Sequence, residues 1–210
     1  MSLQAKQSVL ASAIVLIIII ADQAMKLWVH SAFYIGESFK ITEWFSLVYV
    51  ENDGIAFGIE LFDKLILTLF RIVVSGALIW YIAHCIRRGE STLFITCLAL
   101  ILAGATGNII DCVFYGEIFS ASGYNPYLTD SLSHLVPFGE GYGTMFEGRV
   151  VDMFQFPLFD FFWPKWIPFI GGKYFLFFSP IFNFADACIS VGVVSLILFF
   201  NKELVKLEKL

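Results

Sequence analysis

Two aspartates, Asp152 and Asp186, stand in apolar surroundings in separate parts of the chain. Two carboxyls brought to one site cannot both ionise cheaply, so one keeps its proton near neutral pH. The ionised partner takes a proton from water, and the protonated one donates to a carbonyl oxygen as it becomes tetrahedral. Such a pair hydrolyses a peptide bond with neither a metal nor a covalent intermediate. The same carboxyls would serve equally as polar contacts in helix assembly, and residue types alone leave both readings open. Other hydrolytic chemistries fit poorly. The three histidines, His30, His84 and His134, are far apart and lack the His-Glu-x-x-His spacing of a zinc site. There is no Gly-x-Ser-x-Gly elbow and no phosphate-binding loop. Neither a metal nor a cofactor is expected.

More polar residues fall where apolar ones belong. Asp22 and Lys26, four apart, share a helix face and read most simply as an ion pair that neutralises itself. Gly104, Gly107, Asn108 and Asp111 lie near one face of another helix, where small residues admit a close neighbour and polar ones bond across. Asn183 precedes Asp186 by three and either orients a neighbour or joins the site. Arg149 is a candidate for the site or for a lipid headgroup contact, and Arg71 is expected to snorkel or to pair with an acid.

The elements that must position these groups follow from composition. The chain is 59% hydrophobic and 15% charged, with 24 phenylalanines and a mean hydropathy of +0.80. These values exclude an ordinary soluble domain and point to a mainly α, polytopic membrane protein. A formal charge of −5 offers no basic patch for nucleic acid. Cys85, Cys97, Cys112 and Cys188 read as single buried thiols.

Four apolar runs, residues 9–29, 65–86, 93–114 and 181–200, are long enough to span, and we read residues 1–210 as a single membrane domain. The first run is too long for the core of a cleaved signal and is expected to be a retained helix. The last run carries Asp186 slightly more than one turn inside. Basic flanks at Lys6, Arg87, Arg88, Lys202, Lys206 and Lys209 put both termini in the cytoplasm. The acidic connections, 31–64 and 115–180, then lie outside, and the polar groups of three helices meet near the outer surface. Residues 45–50 alternate like a strand and Asn52-Asp-Gly54 signals a turn, so a small extracytoplasmic β-sheet is expected. Residues 148–154 read as a short buried β segment that holds Asp152 near the membrane roof. The aromatic stretch Phe159-Asp-Phe-Phe-Trp-Pro164, with Trp166, reads as part of an interfacial cap.

Five blocks in order resemble the lipoprotein signal peptidases, the bacterial type II signal peptidases. They are Asp22-Gln-Ala-Met-Lys26, Asn52-Asp-Gly-Ile-Ala-Phe57, Gly104-Ala-Thr-Gly-Asn-Ile-Ile-Asp111, Arg149-Val-Val-Asp-Met153 and Phe182-Asn-Phe-Ala-Asp186. Each is weak alone, but together they run from the first helix to the last. The resemblance implies a membrane aspartic endopeptidase that removes signal peptides from prolipoproteins, just before a cysteine bearing a diacylglyceryl thioether. It implies Asp152 and Asp186 as the catalytic pair. Asn52, Gly54, Asn108, Asp111, Arg149 and Asn183 would support or contact substrate, and Asp22 with Lys26 would brace the site. The family usually has an arginine after the third block's aspartate, where this chain has Cys112. Arg149 and Arg71 are both open as its replacement.

The implied partners are a lipidated prolipoprotein and membrane lipids, with no nucleic acid. The implied setting is the bacterial inner membrane, with the chain a monomer. Two further readings remain: a proton- or ion-coupled transporter relaying through Asp22, Asp111 and Asp186, and a non-catalytic scaffold. A relay across the whole membrane would need polar groups in the inner halves of the helices, which carry no charge.

Overall fold

The computed structural model describes residues 1–53, 64–123 and 132–201. Glu60, Asp63, Asp130, the three lysines of the tail and Gly54 with the rest of its block lie outside these residues.

Among the described residues, three helices are long and apolar enough to cross a membrane. Helix α1, Leu3–Ala32, starts on Ser2, whose side chain accepts from the Ala5 amide at 3.2 Å. It begins six residues before the apolar run because Gln7 is pinned. The Gln7 amide donates to the Glu90 carbonyl at 2.9 Å and to Thr92 Oγ1 at 3.1 Å. Helix α2 is Lys64–Arg88, and α3, Thr92–Ile110, is capped by Ser91. Helix α3 then widens into a π-helical segment, Asp111–Tyr115, and closes with one turn, α4, Gly116–Ile118. Helix α3 is the hub: half of its apolar window is buried, against 17% for α1 and for α2. Phe94, Leu98 and Leu102 pack there with Ile82 and Leu196. At Gly104 any Cβ would collide with the Ala185 carbonyl oxygen, so glycine lets α3 and the last helix approach backbone to backbone.

The sheet that covers one end of this bundle has the order β1-β2-β3-β6, all antiparallel. Its strands are β1 Ser38–Thr42, β2 Phe45–Asn52, β3 Val150–Gln155 and β6 Ile181–Phe182. The alternation expected at residues 45–50 is not matched by burial, since Ser46, Leu47, Val48 and Tyr49 are all buried. Strand β2 lies inside the sheet, and Leu47 and Tyr49 pack with Val29, Tyr115, Val151 and Met153. Asp152, between Val151 and Met153, turns to the opposite face of β3. Strands β4, Phe159–Phe162, and β5, Tyr174–Phe177, form a separate two-stranded hairpin.

The last helix corrects an expectation. The apolar run 181–200 is not one helix: Ile181 and Phe182 pair with Gln155 and Phe154 as a strand, and α5 is Phe184–Phe199. Its 16 residues rise about 24 Å, shorter than the other three. Asp186 therefore sits in the first turn of α5 rather than beyond it, and Asn183 is the cap rather than a helical neighbour. An asparagine after a strand outcompetes apolar continuity, because its side chain satisfies an amide that the helix start leaves open.

Candidate active site

Asn183 joins the two candidate acids. Its Oδ1 accepts from the Asp186 amide at 2.9 Å, and Asp186 Oδ2 accepts from the Asn183 amide at 3.4 Å, completing a capping box. Its Nδ2 donates to Asp152 Oδ1 at 2.7 Å and to Asn108 Oδ1 at 3.1 Å. Asn108 Nδ2 in turn donates to Asp186 Oδ1 at 2.8 Å. On the far side of Asp152, Asn52 Nδ2 donates to Oδ2 at 3.1 Å. A strand and a helix start thus deliver two carboxyls onto one buried asparagine. Asp152 is 3% exposed. Burial above all, and then the neighbouring Asp186 charge, push its carboxyl up to about 7, against the opposing pull of the Asn52 donor, Lys26 and Asn183. Asp186 is half-buried, so its side is the more open.

A second layer fixes this geometry. Asp22 Oδ1 accepts from the Ala185 amide at 2.9 Å, holding the first turn of α5. Asp111 Oδ2 accepts from the Val151 amide at 3.4 Å, holding β3 beside Asp152. Lys26 Nζ ties the two together, 2.9 Å from Asp22, 2.7 Å from Asp111 and 2.8 Å from Asn108 Oδ1. All three charged side chains are fully buried. The expected pair of Asp22 and Lys26 is present, and it reaches further than its own helix. At Gly107 a Cβ would lie 2.7 Å from Asp22 Oδ2, so that glycine leaves room for the brace.

Gln23 is a member that sequence reasoning missed. Its amide donates to Asp111 Oδ1 at 2.8 Å and to the Gly107 carbonyl at 3.2 Å, and it accepts from the Tyr115 hydroxyl at 3.1 Å. The available signal was a second polar side chain beside Asp22 inside an apolar run. The π-helical segment that begins at Asp111 was equally silent; such segments frequently accompany functional sites.

The two arginines separate. Arg149 does not bond to the dyad. Its Nη1 lies 2.9 Å from Glu51 Oε2 and its Nε 3.2 Å from Asp53 Oδ1, flanking Asn52 on both sides. Its guanidinium also lies over the Tyr142 ring, 5.3 Å from the centroid. Arg71 pairs with no acid among the described residues. Instead Nη1 donates to Cys112 Sγ at 3.3 Å, so a guanidinium carried by α2 stands beside the residue that follows Asp111.

With this geometry in place, the likeness to known proteins is specific. The model of the family described as signal peptidase (SPase) II matches residues 14–202. The chain belongs to the signal peptidase II family. A lipoprotein signal peptidase from Porphyromonas gingivalis is 47% identical over 197 residues, covering 93% of this chain and 84% of that protein. One from Amoebophilus asiaticus is 34% identical over 192 residues, covering 88% of this chain and 75% of its own length. Among solved structures, one bacterial membrane enzyme matches at a TM-score of 0.59 with 24% identity, over 92% of this chain and 88% of that one. A second matches at 0.57 with 25% identity, over 91% and 92%. The family is one of proteases, and all five sequence blocks lie within the matched residues. The described parts of those blocks gather around Asn183, Lys26 and the sheet end of the bundle.

Proposed function

We propose that this protein is the aspartic endopeptidase that removes the signal peptide from diacylglyceryl-modified prolipoproteins, cleaving before the lipidated cysteine. The observation that carries the reading is the shared asparagine: Asp152 on β3 and Asp186 on α5 are both bonded to Asn183. Asp152 and Asp186 form the catalytic dyad. The substrate enters sideways from the bilayer, where its acyl chains already lie. Its scissile carbonyl comes to rest over the dyad, under the sheet edge that carries Asn52.

The environments assign the roles. Asp152, enclosed and raised, holds the proton near neutral pH, and Asp186 on the more open side serves as the base. Water held between them loses a proton to Asp186 as its oxygen bonds to the scissile carbon. Asp152 passes its proton to the carbonyl oxygen, giving a neutral tetrahedral diol. As the C–N bond breaks, Asp186 returns its proton to the leaving cysteine nitrogen and Asp152 recovers one from the diol hydroxyl. The products are a free carboxyl on the signal peptide and a free amine on the lipidated cysteine. Asn52, Asn108 and Asn183 keep the carboxyls in place, and the enclosed site strengthens their interaction with developing charge. The sheet end faces the outside of the bacterial inner membrane, with both termini in the cytoplasm.

The charges also weigh against a relay across the membrane. Among the described residues, the buried lysine Lys26 lies with the buried carboxylates of Asp22, Asp111 and Asp152 at the sheet end of the bundle, and Glu51, whose side chain is also buried, stands on β2 at that same end. The test incubates the purified protein with a lipidated precursor and, separately, with its unlipidated form. Mass spectrometry should find the mature chain beginning at the lipidated cysteine, insensitive to metal chelators and serine-protease reagents. Chelator-sensitive cleavage, or equal cleavage of both precursors, would contradict the reading.

A further inference from the structure

The hairpin of β4 and β5 is the largest feature that the site leaves unused. Among the described residues its strands pair only with each other, with Phe159 opposite Phe177 and Phe161 opposite Phe175. The ladder continues through Trp163, whose amide donates to the Lys173 carbonyl at 2.9 Å and whose carbonyl accepts from Gly172 at 2.8 Å. On one face Phe159, Phe161, Trp163, Phe175 and Phe177 form a continuous ring cluster, stacked at Phe159 and Phe177 with centroids 4.6 Å apart, tilted at Phe161 and Phe175 with centroids 5.1 Å apart, and edge-on at Trp163. The opposite face shows Phe162, 69% exposed, and Tyr174. At the tip Trp166 is 81% exposed and Phe169 95%. An isolated two-stranded hairpin is marginal in water, and one with bare rings on both faces and at its end needs an apolar surrounding.

Three observations say what surrounds it. First, the hairpin is continuous with the membrane-embedded surface. It springs from β3 and returns through Phe178 and β6 to the first turn of α5, at the end of the bundle where α1 also ends with Trp28 half-exposed. Stacked rings run across that level, from Trp44 to Phe156 at 6.2 Å and from Phe156 to Phe182 at 5.7 Å. Aromatic rings concentrate at this depth of a bilayer. Second, Lys165 and Lys173 flank the tip and are exposed, placing cations among the rings where lipid phosphates lie. Third, no described residue pairs with the outer edge of either strand, and such edges cannot sit in the hydrocarbon centre. A second copy of the chain docking face to face would cover one face and leave the other face and the tip bare.

We infer that the hairpin is a lipid-binding arm. It lies in the boundary between headgroups and acyl chains of the leaflet at the sheet end, with Trp166 and Phe169 among the upper acyl segments and the two lysines level with the phosphates. The inference rests on the membrane embedding of the chain and not on the peptidase chemistry.

The test uses the full chain carrying 5-fluorotryptophan, reconstituted in nanodiscs of phosphatidylcholine and phosphatidylglycerol. The five tryptophans give separate fluorine resonances, and Trp166→Phe assigns the one of interest. Trp80, exposed on α2, is the lipid-side reference. A lipid bearing a nitroxide near the top of its acyl chain should remove most of the Trp166 intensity, while an aqueous gadolinium chelate leaves it nearly unchanged. Loss to the gadolinium chelate would overturn the inference. So would loss to neither probe, the result of burial against a second copy or another protein. Cleavage of the lipidated precursor by the same sample, measured in parallel, reports separately on the peptidase reading.

Discussion

Replacing Asp152 with asparagine should make the protein more stable in mildly alkaline solution, and the structure sets the size of the effect. Burial and the Asp186 charge hold the carboxyl at about 7 rather than its ordinary 3.8. A displacement of that size corresponds to ~4 kcal/mol of preference for the protonated form. The folded state binds this proton more tightly than the unfolded chain does. The stability that the group contributes is therefore complete below its unfolded value and is lost as pH rises through 7. Asparagine cannot ionise, so the variant escapes that loss. It pays a fixed cost, because Asp152 accepts from Asn52 on one oxygen and from Asn183 on the other, and an amide nitrogen faces one of those donors without bonding. That cost is ~1 kcal/mol at every pH. From about pH 5 to about pH 8 the stability difference should move towards Asp152→Asn by ~3 kcal/mol. The assay is reversible unfolding in mixed anionic and non-ionic detergent micelles, followed by tryptophan fluorescence at both pH values. In an Asp186→Asn background the movement should shrink, since one of its two causes is gone. A difference that ignores pH, or that moves towards wild type as pH rises, would refute the reasoning. It would mean that the two asparagine donors outweigh burial and keep Asp152 ionised.

Two other changes follow from the network. Lys26→Met leaves Asp22 and Asp111 buried without their cation, and should destabilise the protein by ~3–5 kcal/mol. Adding Asp22→Asn and Asp111→Asn to it should recover part of that loss in the same unfolding assay. Asn183→Ser keeps a good helix cap but loses the amide that reaches Asp152 and Asn108. It should therefore lower kcat on a lipidated precursor by at least ~10-fold, equivalent to ~1.4 kcal/mol, with a smaller loss of stability than Asn183→Ala.

Much of the fold was legible because bilayer length and flanking charge leave few choices for long apolar runs. The runs at 65–86 and 93–114 fall within α2 and within α3 with its π-helical extension almost residue for residue. Strand β3 was legible from Val150 and Val151. The start of α5 was not. Hydropathy does not distinguish an apolar strand from an apolar helix, and Ile181 and Phe182 take the strand because β3 offers them partners. The acids of the site were visible as charges in the wrong solvent. Their connections were not: Asp22 reaching the Ala185 amide depends on how close Gly104 and Gly107 let the neighbouring helices come, and Asp111 reaching the Val151 amide depends on Gly148, where a Cβ would lie 2.0 Å from the Asp111 carbonyl oxygen. The partner of Arg71 among the described residues was equally hidden: Cys112 lies on another helix, and a thiol is a weak acceptor that no charge pattern announces.

The proposed dyad requires that Asp152 and Asp186 together activate one water molecule. Its most direct test is turnover of a lipidated precursor by Asp152→Asn and Asp186→Asn, each first shown to be folded. Each single change should reduce the rate to background, and the double change should reduce it no further. A near wild-type rate from either variant would contradict the dyad.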